Sequence, residues 1–235
     1  MAFSRDLSDT KETLHRQSYL HLEDVLSPDF TDILRSYHTR IASNNLQEIE
    51  EWYIPGKKRQ YLFEFPSMGF LQQFRQGLSE ITGERHDDIT IGERHIKVYL
   101  ENAPEYPAPH MDRQAAQFTI GFPIHIPEAS RVCFFPHLSR EENTDERAKY
   151  LEASADLDMA RFYDDERIVK ARGKIGDMFI FHGSTIYHER IRSAGAIILY
   201  VKINAAGRDP LGEHASLLQS LTAKMETAAA DHAAA

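Results

Sequence analysis

The sequence is poor in several things, and each shortage excludes a class of protein. It has a single cysteine, Cys133, so no internal disulfide can form. A lone thiol in the apolar run Val132–Phe135 fits a reducing compartment, and the cytoplasm is the expected location. Apolar runs such as Ala196–Val201 are far shorter than the roughly 20 residues of a membrane-spanning helix. Met1–Asp6 has none of the apolar character of a secretory leader. Positive charge is also scarce: 27 Lys and Arg against 36 Asp and Glu leave a net charge of −9. That balance disfavours a nucleic-acid backbone as partner; no membrane partner is expected either, and the compactness of the chain points to a small-molecule substrate. Oligomeric state leaves no mark in the sequence.

What is present suffices for a core. Of 235 residues, 42% are apolar, among them 13 Phe and 10 Tyr, which predicts one domain. Its expected parts are helical and strand support over 1–88, a barrel over 89–205, and a C-terminal helix and tail over 206–235. Thr10–Arg16 is weakly helical and Tyr19–Leu22 reads as a short strand. Ser27-Pro28-Asp29 is a helix start, with Phe30, Ile33, Leu34, Tyr37 and Ile41 following at helical spacing. Residues 44–58 form a polar connection around Pro55-Gly56, and Gln60–Phe65 reads as a strand. Ser67 caps a second helix with Phe70, Leu71, Phe74, Leu78 and Ile81, stopped by Gly83. From Ile89 onward the texture is β, with seven or eight strands; Ile96, Val98 and Leu100 predict a half-buried one. The charged stretch 139–166 predicts a solvated outer helix, or a lid that turns Arg161, Phe162 and Tyr163 toward a substrate. Leu217–Met225 predicts a short helix and Ala228–Ala235 a frayed tail. Helices first and antiparallel strands afterwards make an α+β arrangement.

The chemistry gathers at Pro109-His110-Met111-Asp112-Arg113 and at Phe181-His182-Gly183-Ser184-Thr185-Ile186-Tyr187-His188. On a strand, residues two apart share a side, so His110 and Asp112 can grip one ion. A second histidine returning from downstream completes a 2-His-1-carboxylate set, which suits non-haem iron(II) and leaves one face of the metal open. Three-residue patterns arise by chance in a chain with 12 His and 36 acids. Pro104, Pro107 and Pro109, however, rule out a helix and impose an extended entry. Gly176–His182 reads as a turn and an apolar strand leading toward His188.

With these motifs, and with the opening SYLHLEDVLSPDFTDILRSY, the chain resembles the iron(II)/2-oxoglutarate dioxygenases, and within them the phytanoyl-CoA-hydroxylase-like group, over roughly residues 17–205. The resemblance implies a double-stranded β-helix (a jelly-roll or cupin-like barrel) with flanking N-terminal helices. It implies Fe(II), 2-oxoglutarate and O2, with His110, Asp112 and His188 as metal ligands and His182 as a neighbour of the pocket. It implies hydroxylation or desaturation of an unactivated C–H bond, because Asp112 fills the place that a halide takes in related halogenases. The family's usual arginine on the strand after the distal histidine is missing from Ala196–Lys202. Lys202, whose parity matches Tyr200, is the expected anchor for the far carboxylate of 2-oxoglutarate, with Arg192 as the alternative and Tyr99 adding a hydroxyl. Arg113 and Arg131 are the candidates for holding a charged substrate group. The missing arginine keeps open an iron oxidase that chelates its substrate without 2-oxoglutarate. A non-catalytic jelly-roll binding protein is the reading from a different class, and there the three ligands need not converge.

Overall fold

The computed structural model describes residues 1–46, 54–152 and 158–234. Local chemistry accounts for the first elements. After α1 (Lys11–Gln17), Ser18 takes the left-handed conformation at φ 69° and turns the chain into β1 (Tyr19–Leu22). The Ser27 hydroxyl accepts from the Phe30 amide at 3.2 Å and starts α2 (Pro28–Ala42), which buries Phe30, Leu34 and Tyr37. Beyond β2 (Lys58–Leu62), Ser67 repeats the device with Phe70 at 3.1 Å and starts α3 (Met68–Thr82). Gly83, at φ 75°, ends that helix as the sequence predicts.

The β region follows as β3 (Thr90–Tyr99), β4 (His110–Met111), β5 (Phe118–His125), β6 (Arg131–Phe134) and β7 (Lys149–Tyr150). After the single turn α4 (Met159–Phe162) come β8 (Val169–Ala171), β9 (Met178–Phe181), β10 (His188–Ile191) and β11 (Ile197–Asn204). The last element is α5 (Glu213–Ala234). Two antiparallel sheets result, a six-stranded one ordered β1-β9-β5-β11-β3-β2 and a five-stranded one ordered β7-β4-β10-β6-β8. This is a jelly-roll-like α+β architecture.

Strand parity divides the large sheet into two faces. Phe118, Ile120, Phe122 and Ile124 of β5 and Leu199, Val201 and Ile203 of β11 join the helices in the main core. There Phe122 lies 5.1 Å from Phe30 and 5.8 Å from Phe74, ring to ring. The alternate residues Thr119, Tyr200 and Lys202 turn the other way and line a cavity with residues of the small sheet.

Three expectations are corrected. β3 is buried on both faces along most of its length, because the interior-facing side lines the cavity instead of meeting solvent. The described part of 139–166 is not the expected outer helix: it holds only β7 and the single turn α4, and 153–157 lie outside the described residues. Phe162 and Tyr163 stack near Phe135, 5.6 and 5.7 Å away, in a cluster with Met111 and Cys133 on the outward face of the small sheet, and Arg161 is exposed. Last, α5 does not stop at Met225 but continues through Ala234. Of the connection expected over 44–58, residues 47–53 lie outside the described residues. No helix among the described residues is long and apolar enough to cross a membrane.

Candidate metal centre

His110 opens β4, and the one residue pair joining β4 to β10 is His110 with His188. The two imidazoles therefore stand side by side, ring centres 4.6 Å apart. Asp112 follows β4 and is fixed by its amide, which donates to the Gly183 carbonyl at 2.8 Å. Gly183 has no alternative here: a Cβ would sit 2.5 Å from Thr119 Oγ1 and 2.8 Å from Asp112 Oδ2. His110 Nε2 lies 3.8 Å from Asp112 Oδ1, and His188 Nε2 lies 3.6 Å from Asp112 Oδ2. One potential donor atom from each of the three residues falls within 4.8 Å of the others.

The supporting groups orient these donors. His188 Nδ1 is 3.0 Å from the Ile186 carbonyl, an acceptor, so that nitrogen carries the proton and Nε2 presents its lone pair inward. His110 Nδ1 faces the Glu189 carboxylate at 3.4 Å, which in turn holds Lys57 at 3.0 Å. Both Asp112 oxygens are occupied once: Lys202 Nζ donates to Oδ1 at 2.8 Å and Thr119 Oγ1 to Oδ2 at 2.6 Å. Lys202 also stands 3.4 Å from Glu93 Oε2, and Arg113 donates to Glu93 Oε1 at 2.6 Å. A row of alternating charge thus runs from the half-buried Arg113 through the buried Glu93 and Lys202 to Asp112 at the site.

Ionisation follows from this packing. Burial alone would raise the Asp112 carboxyl, but Lys202, His188 and His110 outweigh it and hold it well below the usual carboxylate range. Glu93 behaves alike, brought to about 2 against burial by Lys202, Lys97 and Arg113. Burial pushes His188 down to about 4, only partly opposed by Asp112, so its imidazole is neutral at pH 7. Two imidazoles and one carboxylate are the donor set expected for a non-haem divalent metal, and their convergence fits such an ion.

The cavity beside the three residues measures about 30 Å³ and is lined further by Lys58, Lys97, Tyr99, Arg190 and Tyr200. Arg190 is 2% exposed, and its Nη1 donates to Ser130 Oγ at 3.2 Å. Its Nε and Nη2 have no hydrogen-bond partner among the described residues. Lys97 lies over the Tyr200 ring at 4.8 Å, and burial, then Lys202, lowers its ammonium to about 8. Lys58 lies over Tyr99 at 5.8 Å and is pushed well below its ordinary value by burial. Lys58, Lys97, Lys202 and Arg190 line the cavity against the carboxylates of Asp112 and Glu189, so basic side chains outnumber acidic ones and set it up for an anionic ligand.

The candidates from sequence divide accordingly. His110, Asp112 and His188 are brought together; His182 is not, and packs against Phe118 with ring centres 4.6 Å apart. Tyr99 lines the cavity. Lys202 points inward as its parity predicts, but Asp112 and Glu93 occupy its ammonium. Arg192 is corrected: at φ 48° the chain turns outward after β10, and its guanidinium binds the Tyr106 hydroxyl and, at 2.9 Å, Glu105. Arg131 is corrected too, since its Nη1 donates to the carbonyls of Glu128 and Ser130 at the start of β6, away from the cavity. Arg113 braces Glu93 and borders a separate surface cavity of about 530 Å³ with Gln114 and Arg208. The sequence reading missed Arg190, Lys97, Lys58 and Thr119. Arg190 had a signal, for it stands two residues after His188 and shares its parity.

No protein-family model matches the chain, and no curated protein matches it in sequence. Solved structures do match in fold. The epimerase SnoN, in complex with Fe3+, alpha ketoglutarate and nogalamycin RO, is 15% identical, with 84% of this chain and 82% of that one covered and a TM-score of 0.56. HygX from Streptomyces hygroscopicus, with nickel, 2-oxoglutarate and hygromycin B bound, is 7% identical over 86% and 88%, with a TM-score of 0.55. A prolyl hydroxylase from Trichoplax adhaerens, in complex with a hypoxia inducible factor oxygen degradation domain peptide fragment, is 9% identical over 84% and 88%, also at 0.55. At such identities the likeness is one of fold.

Proposed function

We propose that the protein is an iron(II)- and 2-oxoglutarate-dependent oxygenase on a double-stranded β-helix, and that it hydroxylates or desaturates an unactivated C–H bond of a small polar molecule. The observation that carries this reading is the convergence of His110, Asp112 and His188 beside an interior cavity rich in cations. Two of the fold relatives were solved with 2-oxoglutarate, there also called alpha ketoglutarate, and a metal, which supports it. His110, Asp112 and His188 would hold the iron, which when bound supplies oxygen activation coupled to conversion of 2-oxoglutarate into succinate and carbon dioxide. The residues of the chain do the rest. Thr119 keeps the Asp112 carboxylate oriented, and the Lys202 ammonium nearby favours its ionised form. Arg190, whose Nε and Nη2 have no partner among the described residues, is the anchor for the far carboxylate of the cosubstrate, and Lys97 and Tyr99 line the same cavity. A cavity of about 30 Å³ has room for one water, so side chains that line it must rearrange to admit 2-oxoglutarate.

The rival without 2-oxoglutarate drew its force from the missing arginine on the final strand. Arg190, on the preceding strand in the opposite sheet, offers an arginine there instead and weakens that ground. Anaerobic titration of the protein with Fe(II), with and without 2-oxoglutarate, tests the proposal. A visible charge-transfer band that needs both is the expected result. Absence of the band, or substrate turnover with no 2-oxoglutarate added, would overturn it.

A further inference from the structure

We infer that Lys202 is a positioning residue that serves as a built-in counter-cation, standing against Asp112 while no dication is bound and passing to Glu93 when one is. The inference rests on the metal reading above. Lys202 Nζ lies between the two carboxylates, 2.8 Å from Asp112 Oδ1 and 3.4 Å from Glu93 Oε2. All three side chains are buried, with Lys202 9%, Asp112 3% and Glu93 8% exposed. Without the ammonium, Asp112 would be a buried anion short of a close counter-cation, an arrangement that costs a fold dearly.

A dication among His110, Asp112 and His188 changes the balance. It and the ammonium would lean on the same carboxylate, and like charges at that range in a shielded interior repel strongly. The geometry offers the ammonium somewhere to go. Arg113 occupies Glu93 Oε1, so Oε2 can take Lys202 in full without displacing it. Thr119 keeps Asp112 Oδ2 at 2.6 Å, so the carboxylate stays aimed when Lys202 leaves Oδ1. The empty site is therefore charge-balanced, and the protein gives up part of its metal affinity for it.

The test is Co(II) titration of the purified full chain, followed by calorimetry and by the visible spectrum, beside thermal melts with and without Co(II). Lys202→Met is expected to bind Co(II) at least about tenfold more tightly than the wild type. Its metal-free form should melt lower, and its gain in Tm on adding Co(II) should be the larger. Were Lys202 only a prop for Asp112, the same variant would bind more weakly, so weaker or unchanged affinity overturns the inference. Glu93→Gln decides the matter if Lys202→Met does not fold. With Glu93 neutral the ammonium rests on Asp112 alone, and Co(II) affinity should fall below that of the wild type; an unchanged or raised affinity overturns the inference. A wild-type protein that binds no Co(II), Mn(II) or Fe(II) refutes the metal reading itself, a result distinct from either variant's.

Discussion

Replacing Arg190 with Met separates cosubstrate anchoring from structural support. The guanidinium is almost wholly buried on β10, gives one hydrogen bond to Ser130, and leaves Nε and Nη2 unmatched among the described residues. Met fills a similar volume with an unbranched chain, so packing is kept. On the stability side, the variant loses one hydrogen bond, about 1 kcal/mol, and is relieved of unmet buried donors worth about 1–3 kcal/mol. Stability should therefore be unchanged or slightly higher. On the binding side, a carboxylate paired with these donors gains charge-assisted hydrogen bonds, and Lys97 recovers only part of the loss. Affinity for 2-oxoglutarate should fall by about 2–3 kcal/mol, or roughly 30- to 150-fold. Anaerobic titration of the Fe(II)-loaded protein with 2-oxoglutarate measures the first quantity, and urea denaturation the second. Cosubstrate affinity within about twofold of the wild type would refute the assignment of Arg190. A parallel collapse of stability and metal binding would show that the residue is a structural prop.

His188→Ala should weaken Fe(II) or Co(II) binding by more than about 100-fold, beyond the range for residues that only orient ligands, whereas His182→Asn should leave it intact; metal titration of both variants tells the two histidines apart. Burial first, and then His15, lowers the His182 pKa to about 4, so the unfolded chain takes up a proton at this site before the folded one does. The metal-free protein should accordingly lose stability as pH falls from about 6.5 to about 4, and urea midpoints across that window should fall less steeply for His182→Asn. Glu213, buried at the start of α5, accepts from the Arg94 amide at 2.9 Å, from Arg94 Nη1 at 3.4 Å and from His95. Glu213→Ala should destabilise the fold by roughly 3 kcal/mol, because it strips a buried arginine of a partner; a loss under about 1 kcal/mol in denaturant would show that Glu64 suffices.

Much of the scaffold was legible because local rules govern it. Ser27 and Ser67 are helix caps by side-chain chemistry alone, and Tyr19–Leu22 has the pattern of a strand. His110 and Asp112 were legible as a pair because a strand puts them on one side. The rest depended on what lies across the fold. A search for an anchor along the last strand passed over Arg190, since nothing local distinguishes an interior arginine from a surface one. Lys202 was placed correctly inside, yet its partners Asp112 and Glu93 come from segments far off in sequence. Charge in 139–166 reported exposure and was mistaken for helix; Tyr150, more than half exposed, instead pairs as an edge strand with His110. β3 reads as half-buried only if one of its faces meets water, and here that face meets the cavity.

The order of strands bears on how the molecule is made. β11 lies between β5 and β3 in one sheet, and β10 lies between β4 and β6 in the other. The central strand of the small sheet and an inner strand of the large one are thus the last two strands in the chain. Until residues 188–204 emerge from the ribosome, both sheets stand split, with unpaired edges facing the gaps. Their closure is highly non-local and belongs to the slow steps of folding. A growing chain would hold His110 and Asp112 but not His188, and so could carry only two of the three ligands. On the proposed metal reading, capture of the ion would follow synthesis, and a stalled or truncated chain would present two open sheet edges to its neighbours, an invitation to aggregate.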